Sequence, residues 1–393
     1  MAPPLPLAPA RAGPTIGYGA IASAIAVGIV GALVILVTPG FLALIAAQAG
    51  LGDQRLGYIA AWDINAMAVA MGGSTFLLPL WDWRISVGIG LALLAMGNLA
   101  TAFSHDYAAI AAARVLAGMG EGIAVGFAFA AFGRAANPHR TFAVYLVLGA
   151  LIGAGILLAL PMLQAQVGPR LLFIANAGLV VLTMLGLRWF PHGRRLEQDA
   201  ALSGIGGLDR RLATRMLIAV FFYFFAISAV WSYSERIGQA SGLDAHRIAH
   251  GLSLGTFAGM GGAALAGLLP RRLGRAWPLA VSGAVTITSY LLLLGSVSAG
   301  AFAVAMALLL LSWNFAQPLL SGICSDADAE GRVVCAMGSI QTFGMGFGPA
   351  VVGMTLRTGS YALALWASCA IIAGSLLLTI VAIRSKHLDR SLA

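Results

Sequence analysis

Charge is what this sequence has least of. Only 9% of its 393 residues are Asp, Glu, Lys or Arg, against about 25% in a soluble domain. With 60% hydrophobic residues and a mean hydropathy of +0.92, the deficit excludes a soluble globule and points to a polytopic helical membrane protein. Lysine is almost missing: Lys386 is the only one, so 22 of the 23 basic residues are Arg. The net charge of +9 would suit nucleic acid, but the basic residues fall in short loops between apolar runs. That distribution reads as membrane topology, and no nucleic-acid partner is expected. Cysteine is scarce. Cys324, Cys335 and Cys369 lie in or beside apolar segments without metal spacing and read as small packing residues. None of the six histidines has ligand spacing either, so no metal is expected. A Gly-Lys-Ser/Thr phosphate loop is missing, which argues against ATP-driven work. Clustered His, Asp or Ser side chains at one membrane depth are also missing, which argues against a membrane-embedded enzyme. The Pro-rich start, residues 1–17, lacks the apolar core and cleavage site of a signal peptide and is read as a disordered cytoplasmic tail.

What is present are apolar runs of spanning length. Twelve helices are expected: Tyr18–Ala47 with a bend at Pro39, Leu56–Leu80, Ile85–Phe103, Ala108–Phe132, Thr141–Leu163, Arg170–Phe190, Ala213–Ile237, Ile248–Leu269, Trp277–Val297, Ala301–Ile323, Val333–Leu356 and Tyr361–Ile383. The longest polar interval, 191–212, falls at the middle. It divides a six-helix half at 18–190 from another at 213–383 and is read as a cytoplasmic linker, with 384–393 as a cytoplasmic tail. If the N-terminus is cytoplasmic, 17 of the 23 basic residues lie on that side, five lie outside and Arg114 lies within a span. This bias supports an even helix count with both termini cytoplasmic. The expected location is a bacterial-type inner (plasma) membrane.

The stretch Arg114 to Gly122 stands out within the fourth run. Arg114 and Glu121 are seven residues apart, hence on nearly one helix face and about 10 Å apart along the axis. Unlike charges at membrane depth are expensive unless they face a protein interior or a wet cavity. Gly118, Gly120 and Gly122 allow close approach by a neighbour. A polar spot in a transport pathway and an internal ion pair that locks helices both fit. Asp63, at similar depth in the second run, is positioned to pair with Arg114, which would leave Glu121 as the freer acid.

Several motifs together resemble the major facilitator superfamily of secondary transporters. Gly267, Leu269, Arg272, Gly274 and Arg275 follow the loop signature G-x-L-a-D-r-x-G-r in the second half, with Arg271 in place of the acid. The first half keeps only Leu80, Asp82 and Arg84. The fourth-helix signature R-x-x-x-G-x-G matches at Arg114, Gly118 and Gly120. The antiporter signature of the fifth helix is not intact, since Gly149, Gly153 and Gly155 occur without the proline, whereas Gly344 and a Gly348-Pro349 pair occur in the eleventh. The resemblance implies two six-helix bundles that rock about a central cavity, lined by the first, fourth, seventh and tenth helices, with substrate near the midplane. It implies gating contacts at the cytoplasmic face by Asp82, Arg84, Arg271 and Arg275.

On that reading the protein is a proton-coupled transporter of a small organic solute, anionic or aromatic, acting as a monomer in a lipid bilayer. It needs no cofactor, and the proton gradient is its energy source. Arg114 would anchor the solute, with Tyr223, Trp231, Asn314 and Gln317 as pocket members. Glu121, Asp63 and Glu235 would serve proton coupling. Glu235 also fits an outer gate or a solvated helix end, and a structural pair fits Asp63. Efflux of an amphipathic compound remains the alternative. Gln341, Asn65, Asn98 and Asn176 are read as interhelical hydrogen-bond partners.

Overall fold

A computed structural model describes residues 17–78, 80–192, 209–268, 274–327, 332–356 and 361–392. Among these, all regular structure is helical. The helices are α1 Tyr18–Leu36, α2 Thr38–Ala49, α3 Asp53–Leu77, α4 Trp83–Phe103, α5 Tyr107–Gly133, α6 Pro138–Met184, α7 Arg210–Trp231, α8 Ser234–Ala240, α9 Ala245–Gly267, α10 Ala276–Leu291, α11 Ala299–Asp326, α12 Arg332–Thr355 and α13 Ala362–Leu392. Among the described residues, seven stretches are long and apolar enough to cross a membrane by length and composition.

Three boundaries differ from the sequence reading, each for a local reason. The first apolar run breaks at Val37, two residues before Pro39, which sits in the first turn of α2. Proline lacks the N–H that a helix interior needs but suits a first turn. The expected fifth and sixth helices are joined into α6, interrupted at Gly168, whose φ of 75° and ψ of 166° only glycine adopts readily. The chain reverses there. Tyr145 lies beside Gly28 and Leu160 beside Gly40, whereas Phe173 stacks edge-on against Phe41 at 5.3 Å and Gly186 accepts a hydrogen bond from Ser23. The expected seventh helix stops at Trp231 and restarts as the short α8.

The scarce acids are used economically. Asp82, Asp106, Asp209 and Asp244 cap the N-termini of α4, α5, α7 and α9, each accepting from a backbone N–H of the first turn. Glycine lets helices touch backbone to backbone. A Cβ at Gly118 or Gly122 would lie 2.1 or 2.2 Å from the carbonyl oxygens of Asp63 and Met67 on α3. Close approach of this kind holds helices together by van der Waals contact where lipid removes any hydrophobic driving force.

Two hydrophobic cores result. One belongs to the N-terminal half alone and runs from Ala24 on α1 through Trp83, Leu91 and Phe127 to Phe190. The other joins Leu33, Phe41, Leu56 and Ile110 of that half to the whole C-terminal half. The halves therefore share a core at the face away from the termini, here called the far face.

Candidate functional site

Four charged side chains are buried among the described residues: Asp63, Arg114, Glu121 and Glu235. The first three form a cluster inside the N-terminal half. Arg114 lies about 10 Å along α5 from its far-face end, and Glu121 about 10 Å farther. Arg114 has no solvent exposure. Its Nη1 pairs with Oδ2 of Asp63 at 3.4 Å, and its Nη2 donates to Oδ1 of Asn98 at 3.2 Å. Its guanidinium carbon stands 4.9 Å from the centre of the Phe41 ring, an arrangement that favours a cation electrostatically. Arg114 thus ties α5 to α3, α4 and α2, and the expected Asp63 pairing is present. Glu121 makes no salt bridge among the described residues, although it is only 3% exposed.

The cluster is incompletely satisfied. Asp63 Oδ1, Asn98 Nδ2, Arg114 Nε and Glu121 Oε2 are buried without a hydrogen-bond partner among the described residues. Unpaired buried polar atoms are costly. The cluster thus holds two carboxyl groups and one guanidinium, and only Asp63 is paired with it.

A second network closes the far face between the halves. Asp53, at the start of α3, accepts from Arg236 Nε at 2.8 Å and from the Tyr361 hydroxyl. Tyr233 donates its hydroxyl to the Asp53 carbonyl at 2.8 Å, and Trp231 Nε1 donates to the Ile35 carbonyl at 3.3 Å. Glu235 is not a solvated helix end. It is 9% exposed and accepts from the Gln239 amide. Asp53 and Tyr361 escaped the sequence reading because a carboxylate at a helix start and a tyrosine at a span end are ordinary interfacial residues. Only folding places residues 308 positions apart in contact.

The remaining predicted pocket residues do not converge on one point. Trp231 lies at the junction of the halves. Tyr223 is buried within the C-terminal half, with its hydroxyl 3.5 Å from the Ser312 carbonyl. Asn314 and Gln317 are half-buried, three residues apart on α11 and so on one face, and Asn314 donates to the Leu310 carbonyl.

At the face bearing the termini, no described gating residue contacts the opposite half in the following pairs. Arg84 Nε donates to the Phe190 carbonyl at 2.6 Å. Arg275 Nη1 reaches Asp326 Oδ2 at 2.5 Å and the Gly322 carbonyl at 2.9 Å. Asp82 meets His192 Nδ1 at 3.3 Å. Partial burial pushes the Asp82 carboxyl up, but the hydrogen bonds from His192 and from the backbone of Ile85 and Arg84 outweigh it and hold the group below its usual value. Arg271 lies outside the described residues.

A search of curated proteins finds no match to this chain. Solved structures give the fold. The nucleoside transporter NupG superimposes with a TM-score of 0.76 at 11% identity, over 92% of this chain and 99% of its own. The POT family transporter PepTSo gives 0.74 at 11%, over 94% and 98%. A D-xylose–proton symporter gives 0.72 at 13%, over 92% and 97%. The sequence profile of the Major Facilitator Superfamily matches residues 23–352. With two helical halves and a profile match over most of its length, this chain belongs to the Major Facilitator Superfamily and is a multi-pass membrane transporter rather than an enzyme.

Proposed function

We propose that the protein is a proton-coupled secondary transporter of a small organic solute, anionic or aromatic, which alternates between two states. The observation that carries this reading is the burial of two acids, Asp63 and Glu121, with a single cation, Arg114; with both acids ionised the group would lack one positive charge, and a proton is the smallest cation able to supply it. Arg114 is held by Asp63 and Asn98. Protonation of Asp63 frees Nη1 for an anionic group on the solute, and departure of the proton returns the guanidinium to the carboxylate. Glu121, without a cation of its own, carries the proton between these events. Trp231, Asn314 and Gln317 line the solute path, and Tyr223 braces α7 against α11. In the conformation described here the far face is closed by Asp53, Arg236, Tyr233 and Tyr361, so from that face the solute reaches Arg114 only after the halves reorient. Twelve spans, cytoplasmic termini, an inner-membrane location and a monomer complete the reading. Gating at the cytoplasmic face falls to Asp82, Arg84, Arg271 and Arg275. Relatedness in fold to a structure titled a proton symporter supports coupling.

The test is uptake by proteoliposomes with and without an imposed pH gradient, using a panel of organic anions and neutral aromatic solutes. The gradient should accelerate uptake by the wild type and not by Glu121→Gln. Equal wild-type rates in both conditions refute the coupling. Ligands from the panel that raise the melting temperature of the wild type should fail to do so for Arg114→Lys, which keeps the charge but loses the planar fork. Equal stabilisation of both removes Arg114 as the anchor.

A further inference from the structure

A second polar feature stands apart from the cluster around Arg114. At the far face the two halves leave a cavity of about 650 Å³, bounded by α2 and α6 on one side and by α8 and α9 on the other. It follows α2 from Gly50 to Gly40, ten residues or about 15 Å into the protein. That volume is within the range of pockets that enclose small organic ligands. Its walls are mainly apolar, with Ala46, Leu160, Ile248 and Leu252 among them, and its polar groups include Gln164 and Glu235. Neither Arg114 nor Glu121 lines it.

Glu235 gives this cavity its chemical character. Its side chain accepts from Gln239 Nε2. Gln239 is occupied at its other end as well, since Oε1 accepts from Arg236 Nη1 at 3.1 Å. Arg236 is in turn paired with Asp53 at 2.8 Å. Arg236, which also lines the cavity, is therefore paired with Asp53, and Glu235 itself makes no salt bridge among the described residues. Glu235 Oε2 is buried and has no hydrogen-bond partner among the described residues. A carboxylate oxygen accepts and cannot donate, so its complement is a donor, and a cationic donor makes the stronger, charge-assisted bond. The apolar walls call for a hydrocarbon body behind that donor.

We propose that this cavity is a binding site for a small organic ammonium ion, a protonated amine with an apolar or aromatic body, held by Glu235 Oε2. The site lies in the seam that must change shape when the far face opens, because α2 and α6 belong to one half and α8 and α9 to the other. A bound amine therefore bridges the halves and favours the closed far face. The site does not depend on Arg114 or on the coupling assigned to Glu121.

The test uses the full-length protein in nanodiscs, with phenethylammonium as probe and 2-phenylethanol as its uncharged counterpart. Phenethylammonium should raise the melting temperature of the wild type, and 2-phenylethanol should not. Glu235→Gln, which keeps the shape and loses the charge, should weaken the apparent Kd for phenethylammonium at least tenfold. Ala46→Phe, which fills the cavity and leaves the carboxylate in place, should also abolish the shift. Glu121→Gln should bind as the wild type does. Equal binding by wild type and Glu235→Gln overturns the proposal. So does loss of binding in Glu121→Gln with retention in Glu235→Gln, which would place the amine in the buried cluster. Equal stabilisation by the alcohol reduces the site to an apolar crevice and also overturns it.

Discussion

Replacing Arg114 by methionine removes the cation and keeps much of the volume. In the wild type the ion pair with Asp63 is 3.4 Å long, with side-chain exposures of 0% and 2%, so solvent screening does not weaken it. Removing one member of a buried pair costs about 3–5 kcal/mol, because the other charge stays behind uncompensated. Loss of the donor to Asn98 and of the contact with Phe41 adds to this. At about 2.1 cal/mol/K per residue, an unfolding entropy for 393 residues is roughly 0.8 kcal/mol/K. The expected fall in melting temperature is then about 4–6 °C. Helices that persist in detergent make the true entropy smaller and the fall larger. The measurement is a thermal melt of four proteins: wild type, Arg114→Met, Asp63→Asn and the double variant. The double variant should melt well above Arg114→Met, since it no longer buries an unpaired charge at position 63. A coupling energy near zero across the cycle, or an Arg114→Met protein within 1 °C of wild type, would refute the buried-pair reasoning.

Two further outcomes are expected. Gly118→Ala places a methyl group 2.1 Å from the Asp63 carbonyl oxygen, so it should separate α3 from α5 and lower the melting temperature. Gly155→Ala, whose added Cβ would meet no atom within 4 Å beyond its chain neighbours and its own helix backbone, should leave it unchanged or raise it, and a reversed order would contradict the packing. At Asp82 the folded-state carboxyl is held below its usual value, so its contribution is present above the unfolded pKa of about 3.9. Asp82→Asn should therefore melt below wild type at neutral pH, and the gap should close as acid carries the wild type through the lowered folded-state value. A gap confined to acidic conditions would show the sign to be wrong.

Much of the site was legible because burial of charge in a membrane is rare and leaves a mark in one dimension. Asp63, Arg114, Glu121 and Glu235 stand within apolar runs, and they are the buried charged residues of the described chain. Glu235 could be singled out, but its surroundings could not. The span it belongs to continues on hydropathy alone, whereas the folded chain breaks at Ser232 and Tyr233 and places Glu235 on the separate short helix α8, where it is buried. The pairing of Arg114 with Asp63 followed from equal depth in neighbouring helices. The third partner, Asn98, did not, because depth says nothing of which way a side chain turns about its helix axis.

Composition and hydropathy by themselves determined that this chain is helical, membrane-bound and divided into two halves, and the glycine-flanked Arg114 marked its superfamily. These are properties of segments, set by transfer free energy and by the need to satisfy backbone hydrogen bonds within each span. Tertiary structure alone decided the rest: that Asp53 meets Arg236 and Tyr361, that Tyr223 turns inward while Trp231 joins the halves, and that Glu235 borders a cavity. Those contacts depend on helix rotation and on how close two backbones approach, and both are fixed by packing between residues far apart in the chain.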